Sequence, residues 1–157
     1  MQWLLYELVQ EGSMSSSIYF YKESEVDGDG LLHACFPWDM EHSYVLSDKL
    51  GQIWNITEKA NTLYGYWKAF YSHEDFKERL RVVWTEKFVP AIEMMIAEES
   101  IETSTGMRNL RWYEAHIEDL NKLENSRWRK MYPLNRCKMN REFLSARMKT
   151  LSGLLFE

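Results

Sequence analysis

The segment in which residue type and spacing best suit chemistry is Phe36-Pro37-Trp38-Asp39-Met40-Glu41-His42-Ser43-Tyr44. Asp39 and Glu41 follow directly on an apolar stretch that reads as a strand. Residues i and i+2 at a strand end point the same way, so both carboxylates face one space. A hard cation such as Mg²⁺ takes oxygen ligands, typically one or two carboxylates together with phosphate oxygens. Other chemistries find no support. The four histidines, His33, His42, His73 and His116, show neither HExxH nor HxH spacing for zinc, and no GxSxG elbow occurs. Cys35 and Cys137 lie about a hundred residues apart without a CxxC; their pairing is open, and buried free thiols are the plainer reading. Asp27-Gly28-Asp29-Gly30 is neither a phosphate loop nor a calcium loop: counting from Glu25, the twelfth position, where a bidentate Glu is needed, is Phe36. It reads as a turn. Arg127, Arg129, Lys130, Arg136, Lys138 and Arg141 run without an intervening acid, as either a patch for phosphate, nucleic acid or an acidic partner, or a solvated surface.

The elements that must position these residues change character along the chain. Trp3, Leu4, Leu5, Leu8 and Val9 cover one face of a helix already under way at the first residue, so upstream residues are expected to be missing. Ser17–Lys22 and Leu31–Phe36 read as two strands of a hairpin whose tip holds two Asp-Gly pairs. From Asn61 onward helix signals dominate. Ser72 is the expected N-cap of a helix with Asp75 at the capping-box position, and Asp75 and Arg79 face each other at i,i+4. Phe76, Leu80, Val83, Trp84 and Phe88 share the inner face of that helix. Pro90 ends it, kinks it or opens the next, the chain stays helical from Ala91 to Glu99, and Gly106 is a break. A single helix is predicted over Leu110–Trp128, and the last over Met139–Phe156 with Leu144, Met148, Leu151 and Leu155 inward. The fold class is α+β, mostly helical, a β-hairpin followed by a helical bundle of four or five members. The single domain comprises a helix and hairpin in 1–60 and the bundle in 61–157.

Composition agrees. The 157 residues are 45% hydrophobic, 27% charged and 15% aromatic, an ordinary globular mix with enough ring surface for a core. Net charge is −5, which argues against polyanion binding by the whole chain. Charge is segregated, with ten acidic and three basic residues in 1–60 against six and eleven in 107–157. No apolar run approaches a membrane span of about 18 residues, and Glu7 interrupts an N-terminus that lacks the basic start of a signal peptide.

Ser16-Ser17-Ile18-Tyr19-Phe20-Tyr21-Lys22, a Gly-bearing tip and then Pro37-Trp38-Asp39-Met40-Glu41 resemble the CotH kinase family of spore-coat proteins. So do Tyr6-Glu7-Leu8, Glu74-Asp75-Phe76-Lys77-Glu78-Arg79, Asn125-Ser126-Arg127-Trp128 and the closing Arg141-Glu142-Phe143-Leu144-Ser145-Ala146-Arg147-Met148-Lys149-Thr150-Leu151, all in the family's order. The resemblance implies the C-terminal part of a protein-kinase-like fold and an atypical kinase moving the ATP γ-phosphoryl group to coat-protein serines with Mg²⁺. It places Asp39 and Glu41 on the metal, and His33 and Trp38 at the nucleotide. The family's catalytic Asp has no counterpart in 9–15: Ser13 stands nearest, and Glu11 is the substitute carboxylate. The lobe with the family's phosphate-binding Lys has no counterpart here either. The implied partners are therefore that lobe or a protein substrate, with no membrane, and the implied compartment is spore coat or cytoplasm. Without the lobe, the 3–9 helix and the hairpin are expected to keep an exposed apolar face. A reading of another class is a non-catalytic helical interaction module derived from the same fold, favoured by the missing Asp and opposed by Asp39 and Glu41. Nucleic-acid binding by the basic terminal helices is opposed by the acidic remainder.

Overall fold

The computed structural model describes residues 1–9, 19–35, 65–128 and 137–156. Helix α1 (Gln2–Val9) is apolar nearly all round and lies in the interior. Trp3, Leu4, Leu8 and Val9 are buried as the helical spacing predicts, and Tyr6 and Glu7 are buried with them. The expectation of an exposed apolar face on this helix is therefore corrected: the chain's own helices cover it.

Strands β1 (Phe20–Lys22) and β2 (Leu32–Ala34) pair antiparallel with Tyr21 opposite His33. Flanking bonds from Cys35 N–H to the Tyr19 carbonyl and from Glu23 N–H to the Leu31 carbonyl lengthen the ladder at both ends. The predicted hairpin is present over these residues. Among the described elements its strands touch chiefly each other, and Tyr19, Phe20, Tyr21, Leu31 and Leu32 remain exposed. The turn needs Gly28 for a close approach, because a Cβ there would stand 2.7 Å from the Cβ of Glu23.

Helices α2 (Gly65–Tyr71) and α3 (Glu74–Val83) meet at Ser72-His73. Ser72 is not the cap of α3: its hydroxyl donates to the Ala69 carbonyl, closing the preceding helix, and His73 takes the N-cap place. Asp75 accepts from the Phe76 N–H instead of facing Arg79, and the ion pairs of α3 run from Lys77 to Glu74 and from Arg81 to Glu78. A π-turn (Trp84–Phe88) joins α3 to α4 (Val89–Ile96), with the Val89 N–H reaching the Trp84 carbonyl five residues back. Pro90 accounts for it. A proline lacks an N–H and its ring crowds the carbonyl four residues earlier, and the wider π-turn accommodates both while the helix continues.

Beyond α4, Glu102 bridges to Arg108 around a turn closed by Gly106 at φ +80°. Asn109 is fully buried and organises the region. Its Oδ1 accepts from the N–H groups of Ile101 and Trp112, capping α5 (Leu110–Ala115), and its Nδ2 donates to the Glu99 carbonyl at 2.7 Å. The predicted single helix over 110–128 is two. His116 leaves helical geometry, with Nδ1 2.7 Å from the Trp112 carbonyl and its ring stacked on Trp112, and α6 (Ile117–Trp128) starts afresh.

Helix α7 (Cys137–Phe156) packs on α1, α3, α4 and α5 and is the centre of the bundle. Leu144, Leu151 and Leu155 are buried at their predicted places, joined by Phe143 and Arg147. Polar ties fix the α3–α7 register: Trp84 Nε1 donates to Ser152 Oγ at 3.0 Å, and Arg81 Nε to the Leu155 carbonyl at 2.7 Å. No described helix is long and apolar enough to cross a membrane. The described architecture is a hairpin plus helical bundle, α+β and mostly helical.

Candidate functional site

The hairpin tip concentrates polar chemistry. Opposite residues of an antiparallel pair have neighbouring Cβ atoms, and the Tyr21 and His33 rings stack with centroids 4.9 Å apart and planes 14° from parallel. Asp29 lies in the turn ahead of β2, separated from it by Gly30 at φ +68°, and its carboxylate folds back to His33. His33 Nε2 lies 3.0 Å from Asp29 Oδ1 and 2.9 Å from Oδ2. Asp29 is itself held: Oδ1 accepts the Leu31 N–H at 2.7 Å, and the Asp29 N–H donates to Glu23 Oε2 at 3.3 Å. The hydrogen bond to Asp29 raises the His33 pKa above its ordinary value. The same bond, then that from Leu31 N–H, lowers the pKa of Asp29.

Donor atoms of Glu23, Asp29 and His33 lie within 4.8 Å of one another. One imidazole nitrogen and two carboxylates match the donor types that divalent ions accept. In this geometry the His33–Asp29 hydrogen bond occupies the space between them. Reading residues 27–30 as only a turn missed this cluster. The pairing arises from the turn, with Gly30 at positive φ between Asp29 and β2, which strand periodicity does not report.

An apolar cavity of about 700 Å³ opens between α1 and the hairpin, walled by Leu5, Tyr21, Ala34, Cys35 and Phe88. Its size is within the roughly 300–1,000 Å³ of small-molecule sites, which are mostly apolar and aromatic. A neighbouring cavity of about 320 Å³ shares Leu5 and Phe88 and continues toward Ala91 and Ile92. Phe88 closes the π-turn and borders both. π-turns within α-helices recur at functional sites, and here the irregularity that Pro90 demands brings an aromatic wall to the cavity. The Cys35 thiol is free and half-buried.

Of the residues singled out in the sequence, His33 is placed in this region. His33 does not line the cavity; it stacks on Tyr21, one of its walls. Glu11, Trp38, Asp39 and Glu41 lie outside the described residues. Of the basic run, Arg127 is exposed, whereas Arg141 is not a solvated cation: its side chain is only 10% exposed and Nη1 is 2.5 Å from Glu114 Oε2.

No protein-family model, curated protein or solved structure matches this chain.

Proposed function

We propose that these residues are the C-terminal portion of a CotH-like atypical protein kinase, binding Mg²⁺·ATP weakly and inactive by themselves. The observation that carries this reading is the antiparallel hairpin beside an apolar cavity, with β2 leading toward Pro37-Trp38-Asp39. The order of a helix, the hairpin and then a bundle closed by α7 is the order the family resemblance implies, while the burial of α1 by the chain's own helices is not what a missing lobe implies.

The cavity fits the base of a nucleotide. It is apolar, it has aromatic walls in Tyr21 and Phe88, and its volume suits a planar heterocycle. His33 supports that wall by stacking on Tyr21, and Trp38 is the second ring assigned to the nucleotide. The carboxylates of Asp39 and Glu41 are the oxygen donors Mg²⁺ requires, and the ion would supply charge neutralisation at the β- and γ-phosphates. Transfer further needs a positioned base and cations around the γ-phosphate. Glu11 is the candidate for the first, and a Gly-rich phosphate loop is absent from the sequence. These residues therefore do not transfer a phosphoryl group alone.

Titration calorimetry with Mg²⁺·ATP and a radiolabel assay on a serine-rich peptide test the reading. Weak binding abolished by Asp39→Asn, with no transfer, is expected. Binding unchanged by Asp39→Asn removes Asp39 from the site, and transfer lost in Asp39→Asn shows that the chain is competent alone. No nucleotide binding at all favours the non-catalytic interaction module, for which the exposed Tyr19, Phe20, Leu31 and Leu32 of the hairpin are the specific support.

A further inference from the structure

A second cleft, of about 600 Å³, lies between the end of α4, α5 and α7, away from the hairpin. Arg111, Arg141 and Lys149 border it, with Ser145, Glu98 and Glu142. Arg141 is nearly buried and committed to Glu114. Arg111 Nη1 shares that same carboxylate oxygen at 3.0 Å, so one Glu114 serves two guanidiniums. The opposite edge of Arg111 is differently engaged. Its Nη2 meets Glu98, whose side chain is 81% exposed. The adjacent Nε on that edge is buried and has no hydrogen-bond partner among described residues. Lys149 has no carboxylate partner among them either.

The Nε–Nη2 edge of an arginine is a two-pronged donor suited to two oxygens of one anion. Glu98 uses one prong and leaves the other orphaned. An exposed ion pair is worth little in water, so Glu98 is easily displaced by an anion that closes both prongs. A phosphoryl group has three acceptor oxygens. It can span Nε and Nη2 and leave one oxygen for Lys149 or the Ser145 hydroxyl. Glu142 also borders the cleft and opposes the anion, leaving Arg111 as the principal receptor. The cleft is much larger than a free phosphate, and leaves room for a peptide to enter with the group.

We propose that this cleft binds the phosphoryl group of a phosphoserine-bearing peptide, with Arg111 as the bidentate receptor and Glu98 as the resident carboxylate it displaces. The proposal uses neither the hairpin nor the nucleotide cavity and does not depend on the kinase reading.

Fluorescence anisotropy of the full chain tests it, with a labelled alanine pentapeptide carrying a central phosphoserine, its unphosphorylated twin, and inorganic phosphate as competitor. The phosphopeptide should bind at least about tenfold more tightly than its twin, as charge-assisted bidentate recognition requires. Glu98→Gln removes the internal competitor and should tighten binding by roughly two- to fivefold. Arg111→Lys keeps the charge and the fold but loses the fork, and should weaken binding about tenfold or more. Equal binding of the two peptides, no gain in Glu98→Gln, or full retention in Arg111→Lys overturns the proposal. Inorganic phosphate binding as tightly as the phosphopeptide overturns its assignment to a peptide.

Discussion

Glu7 on α1 and Arg147 on α7 are 140 residues apart in sequence and both fully buried, with Arg147 Nη2 2.6 Å from the Glu7 carbonyl oxygen and 3.6 Å from Oε2. Burial lowers the Arg147 pKa and the Glu7 carboxylate opposes that shift. At 3.6 Å and an effective dielectric near 20, the attraction is about 4–5 kcal/mol, comparable to the cost of desolvating the two charges. Keeping the pair and replacing it whole should therefore be nearly equivalent, and breaking it should not. Arg147→Met removes the Arg147 guanidinium from beside the buried Glu7 and is expected to cost about 3–5 kcal/mol. That is a large share of the roughly 5–15 kcal/mol that stabilises a domain. At about 2–4 °C per kcal/mol for a chain of this size, it is a fall in Tm of roughly 6–20 °C. Glu7→Leu should cost a similar amount. The double variant, with two apolar side chains facing each other, should lie within about 2 kcal/mol of the parent. Guanidinium unfolding of all four proteins, read as midpoint and slope, gives the cycle. A double variant that loses the sum of the two single losses refutes the coupling and the account of how α1 is held on α7.

The Asp29–His33 pair carries a pH signature. His33 is raised and Asp29 lowered. The His contribution is thus complete below its unfolded pKa of about 6.5 and lost as pH rises through the folded value. The Asp contribution is complete above its unfolded value near 3.9 and lost as pH falls through the folded one. The hairpin tip should be tightest between roughly pH 4 and 6.5. The His33 ring proton should titrate above 6.5 by NMR and return toward that value in Asp29→Asn; an unmoved midpoint counts against the pair. Asn109→Ala removes a cap and orphans the Ile101 N–H and the Glu99 carbonyl. The expected loss is about 2–4 kcal/mol in denaturant unfolding, and a loss below about 0.5 kcal/mol, as for an ordinary surface change, contradicts the role given to Asn109.

Local signals decide much of this molecule. The helical spacing of Leu144, Leu151 and Leu155 places α7 and its inner face, and the aromatic and apolar runs around two Asp-Gly pairs place the hairpin. Periodicity reports which face of α7 must leave water, whereas the hairpin, whose strands stay largely exposed, is legible from residue type and turn chemistry. The sequence also locates His33 on β2, but not the company it keeps. Its pairing with Asp29 depends on how the turn folds around Gly28, where a close backbone approach, rather than an Asp-Gly preference alone, aligns the carboxylate. Other features depend on what the chain brings together. Ser72 serves α2 because the Ala69 carbonyl is within reach of its hydroxyl, and the 110–128 helix breaks where His116 turns to the Trp112 carbonyl. The π-turn at 84–88 is a compromise between Pro90 and the burial of Trp84 against α7. Glu7 and Arg147 read in the sequence as surface charges, since a single helix pattern cannot show that a partner 140 residues away arrives at the same buried point. The orphaned Nε of Arg111 likewise arises from a tertiary arrangement, in which Glu98, on the loop after α4, reaches one prong of a fork carried by α5. Burial, ion pairing and hydrogen-bond satisfaction depend on such distant neighbours, so only the packed chain determines them.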